Sequence, residues 1–168
     1  ENGVEYIAVA TLQEGVQLRK QFDQANILVM GYTPDDQLEY AVDYGLTQTV
    51  FSLTQGRILS QRAVATRSIA RVHVKVDTGF NRLGYRDHDL ALEETIAMAQ
   101  LPGLEVEGMF SHLALNSPQS DEDQYQKQMA LANALAARGV TIPLQHICDS
   151  IGAVTYPQYH MDMVRLGA

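Results

Sequence analysis

The sequence predicts an α/β fold built on a parallel sheet, closed as a (β/α)8 barrel of the TIM type but incomplete. Three observations point there. Seven short β-branched runs alternate with longer segments of helical period along the 168 residues, the pattern of repeated βα units. No glycine-rich dinucleotide fingerprint follows any run, which argues against an open doubly wound sheet. Polar and charged residues gather at the C-terminal ends of the runs, where a barrel carries its site. A whole barrel has eight strands over roughly 250 residues, so seven strands leave about one βα unit missing.

The expected strands are Tyr6–Ala10, Asn26–Met30, Gln48–Phe51, Val72–Asp77, Glu105–Ser111, Leu144–Cys148 and Met161–Arg165. Each but the last is followed by a helix with readable signals. Thr11 and Glu14 form a capping box ahead of Val16, Leu18 and Phe22. Thr33-Pro34 reads as an N-cap with proline at the first helical position, and Gly45 as the stop. Ser52 and Gln55 repeat the capping box. Ser120 is expected to open a helix over 121–138 that Gly139 closes, with Asp121, Glu122 and Asp123 at the positive end of its dipole. Residues 1–168 therefore read as one partial barrel domain with no linker.

Composition narrows the function. The chain is 46% hydrophobic and 19% charged, as in a folded protein, and its net charge is −8. Twelve Lys and Arg without a cluster do not make a nucleic-acid face. One cysteine, Cys148, forms no internal disulfide, which fits a reducing compartment. No apolar run approaches the length of a membrane span. The chain opens on Glu1 and stops within an apparent strand, so both ends read as cut.

The run Val72-His73-Val74-Lys75-Val76-Asp77 carries the most information. Alternation puts the three valines on one face, suited to the outer helices, and His73, Lys75 and Asp77 on the other, toward the barrel interior. Pattern alone fits an internal Lys75–Asp77 ion pair, or an edge strand with a wet face, as readily as a functional site. A tight loop follows, Thr78-Gly79-Phe80-Asn81-Arg82-Leu83-Gly84, with Arg82 placed to reach the mouth. Next come Phe110-Ser111-His112-Leu113-Ala114, His146-Ile147-Cys148-Asp149-Ser150 and Asp162-Met163-Val164-Arg165-Leu166-Gly167.

In that order and on those strand ends, the four phrases resemble the alanine racemase family, pyridoxal 5′-phosphate enzymes with a TIM-barrel N-terminal domain. The likeness begins at Tyr6–Gly15 and runs the length of the chain. The serine/alanine racemase branch is a related match. Other pyridoxal-phosphate barrels, such as homeostasis proteins and amino-acid decarboxylases, match these phrases less well.

The resemblance implies a role for each residue. Arg82 matches the arginine that hydrogen-bonds the cofactor's phenolic oxygen, and Lys75 a lysine often carried as a carbamate, an anion able to orient Arg82. His112 matches a histidine near the cofactor ring. Ser150, with the backbone N–H groups of Gly167 and Ala168, matches the phosphate cradle, and Arg165 the arginine facing the pyridine nitrogen. A guanidinium keeps its protons, so that nitrogen stays unprotonated and the ring is a weaker electron sink, which suits racemisation better than transamination. Asp149 departs from the family's usual Asn, and a carboxylate beside a phosphate must be turned away or neutralised. No metal is implied.

The family's Schiff-base lysine lies on a first strand upstream of Glu1, and its catalytic tyrosine on a C-terminal β-domain supplied by the partner subunit. Neither is in this chain, so no catalytic residue is assigned. The expected parent is a cytoplasmic homodimeric racemase making a D-amino acid for the cell wall, free or tethered to the membrane's inner face. Two readings compete: a non-catalytic single-domain pyridoxal-phosphate carrier, and a barrel scaffold without cofactor.

Overall fold

The computed structural model of the protein describes residues 4–167. Six strands, β1 (Tyr6–Val9), β2 (Asn26–Val29), β3 (Thr47–Val50), β4 (Ala70–Lys75), β5 (Leu104–Phe110) and β6 (Leu144–His146), pair in the order of the chain, all parallel. The crossovers are α1 (Leu12–Arg19), α2 (Leu38–Asp43), α3 (Leu53–Thr66), α4 (His88–Ala99) and α5 (Pro118–Ala137), and the short α6 (Ser150–Thr155) follows β6. Sequential parallel order with a helix at each crossover is a segment of barrel wall.

Local signals explain most boundaries. Thr11 and Glu14 form the full capping box of α1, and Gly45 and Gly139 adopt positive φ just past α2 and α5. Three readings need correction. Thr33 does not cap a helix: its hydroxyl turns inward to donate to Gln48 Oε1 at 3.0 Å, and only a 3-10 turn, Asp35–Gln37, precedes α2. Ser52 caps α3, but Gln55 returns its oxygen to the Phe51 amide, so the box is half made. The helix α5 starts earlier than expected, with Ser117 as N-cap and Pro118 in its first turn. Asp121 still falls in the first turn, and its carboxylate accepts from the Leu115 amide and the Tyr156 hydroxyl.

The seventh run, Met161–Arg165, is not a strand. Met161 takes φ 51°, and two backbone bonds, from Asp162 to Gln145 and from Arg165 to Cys148, tie the segment to β6. The Asp162 carboxylate accepts the Gln145 amide, where a ladder bond would otherwise form.

The face of the wall toward the helices is the apolar core: Ile27, Val29, Val50, Val72, Val74, Val76 and Met109 pack on Leu38, Leu59, Met98 and Leu135. A buried leucine or isoleucine contributes roughly 1.5–3 kcal/mol, so this layer holds the wall together. The opposite face of the Val72–Asp77 run carries His73, Lys75 and Asp77, all buried, which puts ionisable groups on the concave side.

Candidate functional site

On the concave face, β5 departs from regular pairing opposite β4. Val72 pairs with Val106 but His73 with Gly108, so Glu107 is an inserted residue and both it and Gly108 face inward. Gly108 has no alternative there: a Cβ would stand 2.6 Å from three atoms of the His73 ring. The missing side chain is the slot in which that imidazole lies.

A continuous polar chain starts from this slot. His73 Nε2 is 3.5 Å from Glu107 Oε2, and His73 Nδ1 is 3.0 Å from His146 Nε2. His146 Nδ1 is 2.7 Å from Arg165 Nη1. The other arm of that guanidinium, Nη2, donates to the Ser111 and Ile147 carbonyls at 3.1 and 3.0 Å and to His112 Nδ1 at 3.2 Å. His112 Nε2 lies 3.8 Å from Asp149 Oδ2. Arg165 is thus pinned at the strand ends by four acceptors.

Phe110 is the floor of the site. Its ring stacks on His146 at 4.6 Å, with Lys75 Nζ at 4.9 Å and Arg165 Cζ at 5.4 Å from its centroid. Lys75 makes no ion pair with Asp77 within 4.0 Å; its ammonium donates to the Val76 carbonyl at 3.4 Å. Asp77 instead organises the following loop, its Oδ1 accepting the Gly79 and Asn81 amides at 3.0 Å. Arg82 rides on that loop with its guanidinium over the Phe80 ring, which meets His112 edge to face at 4.6 Å.

Positive charge exceeds negative charge here, and the titrating groups respond. Burial, followed by the Arg165 charge, pushes Lys75 down to about 7 and His112 down to about 4. The same two causes hold His146 well below the usual imidazole range. Burial lowers Arg165 to about 10, which leaves it protonated at neutral pH. Neutral bases around fixed cations make a mouth that accepts an anion.

At its rim Ser150 Oγ donates to the Gly167 carbonyl at 2.6 Å and accepts the Gly167 amide at 2.9 Å. A Cβ at Gly167 would meet nothing within 4 Å, so this rim is open. Asp149 is the N-cap of α6: its Oδ1 accepts the Gly152 amide at 2.8 Å and its Oδ2 is the atom toward His112. Capping α6 occupies one oxygen of the carboxylate and aims the other at a neutral His112. Ala168, the last expected cradle residue, lies outside the described residues.

The structure therefore brings Lys75, His112, Arg165, Asp149 and Ser150 to one end of the wall, with Arg82 on the loop above. Sequence reasoning passed over Glu107 and Gly108 as site residues, and quoted Phe110 and His146 only inside motifs. A glycine within a strand was the available signal for the bulge. Among the described residues no helix is long and apolar enough to cross a membrane, and no cluster of His, Cys, Asp and Glu is arranged to hold a metal.

Comparison with known proteins identifies the family. The family model "Alanine racemase, N-terminal domain" matches residues 1–168. Alanine racemase 2 and alanine racemase 1 of Caldanaerobacter subterraneus subsp. tengcongensis are 43% and 39% identical, each over 99% of this chain and 44% of their own length. The solved alanine racemase of Clostridium difficile 630 in complex with cycloserine superposes with a TM-score of 0.93 at 32% identity, covering 98% of this chain and 46% of that one. The chain spans under half the length of these relatives. Their family uses pyridoxal 5′-phosphate, and the donor set fits such a group: surplus cations, neutral imidazoles, and a hydroxyl and an amide at the rim that bond only each other's residue. The chain belongs to the alanine racemase family, as its N-terminal domain.

Proposed function

We propose that this chain is the cofactor-holding part of a pyridoxal-phosphate-dependent racemase that interconverts L- and D-alanine, or L- and D-serine, for cell-wall precursors. The observation that carries this is Arg165, whose guanidinium is held at the strand ends by four neutral acceptors and not by a carboxylate. In this reading β1–β6 are strands two to seven of an eight-stranded barrel, and Met161–Arg165 stands at the eighth position. The parent works in the cytoplasm as a homodimer, and the acid–base pair of lysine and tyrosine belongs to parts of it beyond this chain.

Pyridoxal phosphate, when bound, supplies an electron sink for the bond broken at the amino acid's α-carbon. This chain's residues orient it. Arg165 offers N–H to the ring nitrogen and keeps its proton, because guanidinium is a very weak acid. Ser150 and the amides of Gly167 and Ala168 would hold the phosphate, the Ser150 hydroxyl and Gly167 amide giving up their bonds to each other. His112, neutral and accepting from Arg165 at Nδ1, keeps its proton on Nε2 on the side of Asp149, from where it would support the cofactor's ring. Lys75, pushed down to about 7, has a large neutral fraction at physiological pH. That amine adds to CO2, forming an N–C bond and releasing one proton, and the resulting carbamate faces Arg82 with negative charge.

The test separates binding from turnover. The full-length parent is expected to bind pyridoxal phosphate and racemise L-alanine or L-serine, whereas residues 1–168 alone turn over neither, even with added cofactor. Turnover by the isolated chain would refute the assignment of the acid–base pair. A full-length protein that binds the cofactor but exchanges no α-proton would support a carrier in its place.

A further inference from the structure

The two residues at the foot of the polar chain, Glu107 and His73, are the least expected feature of the concave face. His73 is fully buried and Glu107 partly so, and no part of the proposed reaction touches them. The reason for their presence lies in the direction of the hydrogen bonds above them.

Arg165 has only donors, so His146 Nδ1, at 2.7 Å from its Nη1, must accept. A neutral His146 then carries its proton on Nε2 and donates to His73 Nδ1 at 3.0 Å. His73 in turn has its proton on Nε2, and the carboxylate facing it is Glu107, whose Oε2 lies 3.5 Å away without completing a hydrogen bond. Reversal at any link would set two N–H groups against each other in a buried site. A charged His146 would do the same, by pointing Nδ1–H at the guanidinium.

The far end is built to accept. The Glu107 carboxylate also receives the Thr47 hydroxyl at 3.2 Å. Burial pushes its carboxyl up, but the polar groups of His73, Tyr6 and Thr47 around it outweigh this, and the net shift is down. The inserted position of Glu107 and the absent side chain of Gly108 are the two backbone devices that bring the carboxylate and the imidazole together.

We infer that Glu107 and His73 are positioning residues: by accepting at the foot of the chain they hold the His146 proton on Nε2, and so hold Arg165 in its site with an N–H free for the cofactor. The functional half of this inference rests on the reading of Arg165 as the residue facing the ring nitrogen. The tautomer order does not.

The experiment is long-range 1H–15N correlation on the full-length protein labelled at histidine, with and without pyridoxal phosphate. In the wild type His73, His112 and His146 are each expected to show a protonated Nε2 and a bare Nδ1. Glu107→Leu removes the terminal acceptor. It should shift His73 and His146 partly to the Nδ1–H form and raise the pyridoxal-phosphate Kd about tenfold, the scale of one unpaired buried donor. Glu107→Gln keeps an acceptor oxygen and should stay within about twofold, with wild-type tautomers. A protonated Nδ1 on wild-type His146 would overturn the inference, as would unchanged tautomers in Glu107→Leu. Should the leucine variant not fold, the wild type and Glu107→Gln still decide the order. Predicted tautomers in a protein that ignores pyridoxal phosphate would uphold the chain and refute the cofactor reading alone.

Discussion

Arg165→Leu in the full-length protein is expected to lower racemisation by at least about a hundredfold and to raise the pyridoxal-phosphate Kd with it. Four acceptors lose their donor at once: the Ser111 and Ile147 carbonyls and the Nδ1 atoms of His112 and His146. Each buried group left unpaired costs roughly 1–3 kcal/mol. Relief from desolvating the guanidinium offsets part of this, so the net loss of stability is expected at about 3 kcal/mol.

The same variant should free the histidines. The Arg165 charge is the largest cause after burial of the low values of His112 and His146, so both should titrate closer to the ordinary imidazole range without it. Arg165→Lys keeps the charge but cannot serve four acceptors, and should recover the titration without the activity. Denaturant melts and histidine titrations check both parts. A leucine variant that melts like the wild type with unmoved histidines would remove Arg165 from the centre of the account.

Lys75→Met is expected to move stability and activity in opposite directions. Lys75 sits at about 7 in the fold against roughly 10.4 in an unfolded chain. Between those values the unfolded chain binds more protons, so stability rises with pH through that window and is lowest below it. Near neutral pH the cost is on the order of 4 kcal/mol, at about 1.4 kcal/mol per unit. Methionine fills a similar volume and does not titrate. It should raise stability by roughly 2–4 kcal/mol at pH 6–7 and leave a flat profile from there to about pH 10.

Activity should nevertheless fall about tenfold, because the carbamate proposed for Lys75, the anion that would orient Arg82, can no longer form. Free-energy profiles against pH in both proteins, with 13C-bicarbonate to detect a carbamate on Lys75, test the two halves separately. Equal slopes in the two proteins would mean that Lys75 is not the depressed group.

How much of this was legible in sequence depended on range. The six strands and their order follow from alternation and caps, since Thr11, Ser52, Gly45 and Gly139 act within a few residues of themselves. The inward set His73, Lys75 and Asp77 was legible for the same reason, as a two-residue period needs no partner. Thr33 was misread because its hydroxyl answers Gln48, fifteen residues away, and no local pattern records that demand. Met161–Arg165 has strand composition, but the strand state needs a ladder, and Asp162 occupies one of its amides. The Glu107–His73–His146 chain joins three strands through a bulge whose only trace in the sequence is Gly108. Asp149 could be posed as a problem from sequence and answered only by coordinates, which show it capping α6.

The central claim is that this wall holds pyridoxal phosphate for exchange of an amino acid's α-proton. The most direct measurement is L-alanine and L-serine incubated in D2O with the full-length protein and pyridoxal phosphate, followed by chiral separation and mass analysis. The account predicts D-enantiomer appearing with one deuterium at the α-carbon, and loss of both signals in Arg165→Leu. Cofactor bound at wild-type affinity with neither deuterium nor D-enantiomer formed from either amino acid would contradict it.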